Sequence, residues 1–95
     1  MDKEIINKLA ETNDYTYNLL KAAEELNELS LVLIQLVNKP NKVNLKEVTD
    51  EIGDVKIRLK VLEELFSKDD VKARVTYKLG KFAEYFKSGK YKGQI

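Results

Sequence analysis

Cysteine and histidine are both absent from the chain, and the two absences remove most of the chemistry open to a small protein. Without thiols there is no disulfide framework and no thiolate metal site. Without imidazole there is no Ser-His or Cys-His nucleophile and no histidine acid or base. Tryptophan is missing too, proline occurs once and glycine four times, so few positions interrupt regular structure. Net charge almost cancels, with 17 basic against 16 acidic residues, which leaves no field to draw in nucleic acid or an anionic membrane. The longest apolar run, residues 29–37, is broken by Ser30 and Gln35 and falls well short of the roughly 20 residues of a membrane helix. Met1-Asp2-Lys3-Glu4 is charged, with no apolar segment of signal-peptide type behind it. The expectation is a soluble, cytoplasmic protein without nucleic-acid or membrane partners.

What is present is a helical pattern rich in carboxylates. The 95 residues make one domain, and a chain this short buries only roughly 60 to 65% of its unfolded surface, so a second copy is an expected source of further core. Nothing alternates with period two, and the class is all-α. Ile5, Ile6 and Leu9 predict a short helix over 2–11, and Asn13 or Asp14 caps a second over 15–37, which stops before Pro40. Asn44, with Glu47 three residues on as in a capping box, opens a third over 45–66. Ser67, Asp69 or Asp70 caps a fourth over 71–86, with the stripe Val71, Val75, Leu79, Phe82, Phe86. The domain is expected over 1–87, with a frayed tail at 88–95.

The two long helices carry more than one apolar strip. On the third, Leu45, Val48, Ile52, Val55, Leu59, Leu62 and Phe66 form a continuous seam, and Ile57, Val61 and Leu65 a second strip. On the second helix the seam is Leu19, Ala22, Leu26, Leu29, Leu33, Val37, flanked by Val32 and Leu36. Its end, residues 29–37, is apolar on nearly all sides, which predicts a partner subunit.

Two pairs of carboxylates sit on the flanking sides. Glu25 with Glu28, and Glu51 with Asp54, are three residues apart and so project from nearly the same side of a helix. Each pair is continued one to two turns along by apolar residues. Carboxylates at the edge of a core are costly unless a cation neutralises them. Acidic pairs on helices are also common as solvated faces, and the residues alone leave both readings open.

Glu24-Glu25-Leu26-Asn27-Glu28 followed by Glu51-Ile52-Gly53-Asp54 resembles the EExxE and ExxD signature of the MazG-like, all-α nucleoside triphosphate pyrophosphohydrolases. The likeness extends to Asn18-Leu19-Leu20-Lys21, the loop Asn41-Lys42-Val43-Asn44, the run from Glu51 to Leu62, and Tyr77-Lys78-Leu79, so that it covers residues 5–86 and looks like a small phage-type member. The resemblance implies Mg²⁺-dependent hydrolysis of a (deoxy)nucleoside triphosphate to the monophosphate and pyrophosphate, with Mn²⁺ as a substitute metal. It implies Glu25, Glu28, Glu51 and Asp54 as metal ligands and Glu24 or Glu28 as the base that activates water. Lys21, Arg58, Lys78 and Lys81 would meet phosphate, and Asn18 and Tyr77 the base or sugar. Asn18 stands where the family often has glutamine, and with no tryptophan to stack a base, Tyr15, Tyr17 or Tyr77 would substitute. The implied assembly is a homo-oligomer, dimer or tetramer. A non-catalytic helical oligomer, acting as a binding or regulatory module, fits the same helix plan.

Overall fold

Each helix begins where a short polar side chain can take a backbone amide that the helix itself leaves unpaired. Asp2 accepts from the N–H of Ile5 and Asp14 from that of Tyr17, the latter at 2.6 Å. Asn44 accepts from Lys46 and Ser67 from Asp70. A computed structural model describes residues 1–89. Its order is α1 (Lys3–Thr12), α2 (Tyr15–Asn38), a 3-10 turn (Pro40–Lys42), α3 (Leu45–Leu65) and α4 (Lys68–Ser88). The described residues contain no strand, and the all-α class is confirmed.

One cap and both ends of α4 differ from expectation. The Asn44 side chain takes the amide of Lys46, while the amide of Glu47 goes to the Asn44 backbone carbonyl, so the start of α3 is capped without the expected box. α4 starts at Lys68, three residues early, because Ser67 caps it and Asp69 and Asp70 fall in its first turn, where negative charge favours the helix N-terminus. At the other end α4 continues to Ser88 and closes on Gly89 at φ 72°, a left-handed cap that glycine adopts without a Cβ clash. The rest of the tail expected over 88–95 lies outside the described residues.

α2 and α3 form the body. The short connection between them returns the chain antiparallel, so the start of α2 meets the end of α3, and the rings of Tyr15 and Phe66 pack edge to face at 5.9 Å. α1 packs across α3, buries Ile6, and is tied to α2 by Asn18, whose side-chain N–H donates to the carbonyl of Leu9. α4 makes only light contact with α3 and has no buried residue. Its predicted stripe is therefore laid open: Val71, Val75, Leu79 and Phe86 are all exposed.

The interior takes only part of each expected seam, Ala22 on α2 and Val48 and Val55 on α3. On α2 the buried side chains are Asn18, Ala22 and Val32, whereas Leu26, Leu33 and Val37 of the predicted seam are exposed. On α3, Val48, Val55 and Val61 are buried, but Leu45, Ile52, Leu59 and Phe66 are not. Both helices are turned so that the buried line runs between seam and flank, with Val32 and Val61 of the flank buried and Glu25 and Glu51 partly so.

A helix interior also holds Gly53, at which an added Cβ meets nothing within 4 Å. Alanine there removes backbone entropy from the unfolded chain at no steric cost. Gly53→Ala is expected to raise unfolding free energy by about 1 kcal/mol, read as an increase in the urea midpoint at unchanged slope.

Candidate metal centre

The inward turn of the two flanks brings three carboxylates together across the hairpin. Glu25 and Glu28 come from adjacent turns of α2, Glu51 from the first half of α3, and one oxygen from each lies within 4.8 Å of the others. Glu25 and Glu51 are partly buried and Glu28 is exposed, so two of the three carboxylates lie inside and one at the solvent edge. One oxygen of Glu25 and one of Glu51 are buried without any hydrogen-bond partner. An unpaired buried carboxylate oxygen is among the costliest groups to leave unsatisfied.

The electrostatics agree with the geometry. Burial raises the Glu25 carboxyl above the ordinary range, and the charges of Glu28 and Asp54 raise it further, against a smaller opposing pull from Lys21. Glu51 is raised first by burial and then by Glu28, Asp54 and Glu25, with a hydrogen bond to Glu28 favouring its protonated form. Four acids thus share a field that Lys21 offsets only in part, at Glu25, and a cation would satisfy the orphaned oxygens and that field at once. The donor set, all carboxylate oxygen, suits a hard divalent ion.

The residues expected to line a site divide into those at the cluster and those elsewhere. Asp54 acts on Glu25 and Glu51 through charge but stands outside the three-oxygen group. Lys21 reaches Glu24 at 3.3 Å and Glu25 at 3.7 Å, and the contact with Glu24 is the main cause holding the Lys21 amine above its usual range. Glu24 is exposed, on the outer side of that lysine. Arg58, one turn along α3 from Asp54, has a buried guanidinium nitrogen with no acceptor. Asn18 is buried at the junction of α1 and α2, its N–H used by Leu9 and its carbonyl oxygen unpaired.

Tyr77, Lys78 and Lys81 have their described partners on α4 itself. Arg74 lies 5.0 Å and Lys81 5.7 Å from the Tyr77 ring centre, and Lys78 lies 5.5 Å from that of Phe82. With Tyr85 they line an open depression of about 360 Å³. Arg74 and Tyr85 were not singled out by sequence. Their signal was the alternation of cations and aromatics at steps of three and four along one helix face.

Fold and site define an all-α helical hairpin with an acidic cluster able to hold a metal ion. Comparison of the chain with protein-family models, with curated proteins and with solved structures returns no match. Among the described residues, no helix is long and apolar enough to cross a membrane.

Proposed function

We propose that this protein is a Mg²⁺-dependent nucleoside triphosphate pyrophosphohydrolase. The observation that carries the reading is the meeting of Glu25, Glu28 and Glu51 across two helices with two buried carboxylate oxygens unpaired. The EExxE and ExxD pattern of Glu24 to Glu28 and Glu51 to Asp54, which resembles the MazG-like enzymes, supports it.

When bound, Mg²⁺ neutralises a triphosphate and lowers the pKa of a coordinated water. The chain's part is to hold and orient. Glu25 and Glu51, on facing helices, would be the inner ligands, and Glu28 and Asp54 would complete the acidic set toward solvent. Glu28, exposed at the edge of the cluster, would accept the proton of a water attacking the α-phosphorus, with Glu24 the other candidate base. The bond from that phosphorus to the bridging oxygen breaks, and pyrophosphate leaves with the electron pair. Arg58, whose buried guanidinium nitrogen has no acceptor, and Lys21, 3.7 Å from Glu25, would donate to phosphate oxygens. Lys78, Lys81 and Tyr77 would serve the substrate only from the open face of α4.

The test is incubation with Mg²⁺ and a panel of ribo- and deoxynucleoside triphosphates. The expected products are the monophosphate and pyrophosphate in equal amounts from at least one substrate, with none after chelation. Absence of release from every substrate sinks the enzyme reading and leaves a metal-binding helical module.

A further inference from the structure

The near-cancelled net charge conceals a separation along the chain. Residues 1–70 carry ten basic side chains against fifteen acidic, whereas from Val71 onward seven basic residues stand against one acid, Glu84. Asymmetry of this kind gives one part of a molecule a partner that net charge does not reveal. The basic part is α4, which has only light contact with the body and buries none of its residues. At about 100° per residue, Arg74, Tyr77, Lys78, Lys81 and Tyr85 fall within roughly 100° of one another around its axis, in a band about 17 Å long. All five are exposed. Beside the band, Val71 and Val75 face the body across an open depression that Ile6 of α1 and Glu63 of α3 also line. None of the five band residues lines that depression, and the smaller one that they form with Phe82 has no wall from any other helix. The band therefore looks away from the body.

We propose that this band binds a single-stranded polynucleotide. Three cations in one row form a track for a backbone of repeated phosphates, and Tyr77 and Tyr85 offer ring faces to unpaired bases. Arg74 and Lys81 stand 5.0 and 5.7 Å from the centre of the Tyr77 ring, so a base stacked on that ring carries its phosphate beside a cation. Lys81 also lies 3.7 Å from Glu84, an exposed pair that a phosphate displaces at little cost. An acidic peptide would use the cations and leave the rings idle, and a duplex keeps its bases stacked on one another. The resemblance gives Tyr77, Lys78 and Lys81 to a nucleotide substrate, but Arg74, Tyr85 and the length of the band lie outside it. Binding here needs neither Mg²⁺ nor the carboxylates of the hairpin, so it stands or falls apart from the proposed hydrolase.

Fluorescence anisotropy of labelled oligo-dT and oligo-U of about 16 nucleotides, titrated with the full chain in chelator, tests this. Binding of at least one is expected, with a Kd on the order of 1 to 100 µM. Affinity is expected to fall about 20-fold between about 50 and 200 mM salt, because three neutralised phosphates give a logarithmic slope of about −2. Arg74→Gln combined with Lys78→Gln is expected to weaken binding about 10-fold or more and to flatten the slope to about −0.7. Tyr85→Ala is expected to weaken it about 5-fold or more at unchanged slope, and Tyr85→Phe to restore it. Lys42→Gln, on the 3-10 turn, is expected to change nothing. Every substituted position is exposed, so helical circular dichroism is expected to be retained throughout. No binding to either strand at low salt, an affinity indifferent to salt, or an equal loss in Lys42→Gln overturns the proposal. So does wild-type binding by Tyr85→Ala. Displacement by a nucleoside triphosphate at equal phosphate concentration would mark a nucleotide pocket instead, and tighter binding to anionic lipid vesicles a membrane surface; either result overturns it too.

Discussion

Glu51→Gln is expected to abolish the rise in melting temperature that Mg²⁺ produces, and to reduce pyrophosphate release by about 100-fold or more. Loss of a residue that merely supports a metal ligand typically costs 10 to 100-fold, so loss of a ligand lies at or beyond that range. The same substitution is expected to make the metal-free protein melt higher than wild type. Burial and the charges of Glu28, Asp54 and Glu25 all disfavour the ionised Glu51 carboxylate, and the amide removes that conflict while keeping the shape. Opposite signs with and without metal separate a metal site from an ordinary structural glutamate, whose loss would lower both curves. Asp50→Asn is the control. Asp50 points to solvent and pairs with Lys46 at 3.0 Å, so its loss removes an exposed i,i+4 pair worth about 0.3 to 0.5 kcal/mol and leaves the Mg²⁺ response intact. Melting curves with chelator and with Mg²⁺, for the three proteins together, decide the matter. A Mg²⁺ response retained in Glu51→Gln would remove Glu51 from the ligand set.

The second large effect is on pH dependence, and its sign reverses with metal. Glu25 and Glu51 both titrate above the ordinary value of 4.5 in the folded chain. The native state therefore holds more protons than the unfolded chain between the ordinary carboxylate value and the raised ones. In that window stability falls as pH rises. Metal-free protein is expected to melt highest at the acidic end, to lose that increment as pH rises through the raised values, and to change little from these two groups above them. Ions compete with the same protons, so the increment in melting temperature from Mg²⁺ is expected to grow with pH across the same window. Parallel curves with and without Mg²⁺ from pH 4.5 to 8 would contradict the assignment of these carboxylates as ligands.

Much of this was legible in the residues because it is local. Asn44, one of Asn13 and Asp14, and one of Ser67, Asp69 and Asp70 mark helix starts through their own short side chains, and the three-residue spacing of Glu25 with Glu28 follows from helix geometry alone. Harder to read was which side of each helix would be interior. Leu26 and Leu33 belong to a seam as apolar as the flank of Val32 and Leu36, and on α3 Ile52 and Leu59 compete with Val61 in the same way. The early start of α4 was missed because Asp69 and Asp70 suit either a cap or a first turn, and the hydroxyl of Ser67 took the cap. Resemblance groups Tyr77, Lys78 and Lys81 with the cluster, whereas their ring and cation neighbours among the described residues belong to α4.

The amino-acid sequence by itself determined that this protein is all-α, where α2 and α3 begin, and which acids stand beside one another on each rod. These are consequences of period and capping, which act within one helix. Tertiary structure alone decided that the acidic flanks turn toward each other, placing Glu25, Glu28 and Glu51 within 4.8 Å and leaving Leu26 and Ile52 exposed. Period fixes which residues share a side, but with two apolar strips on each helix, only the packing of α2 against α3 selects the side that is buried.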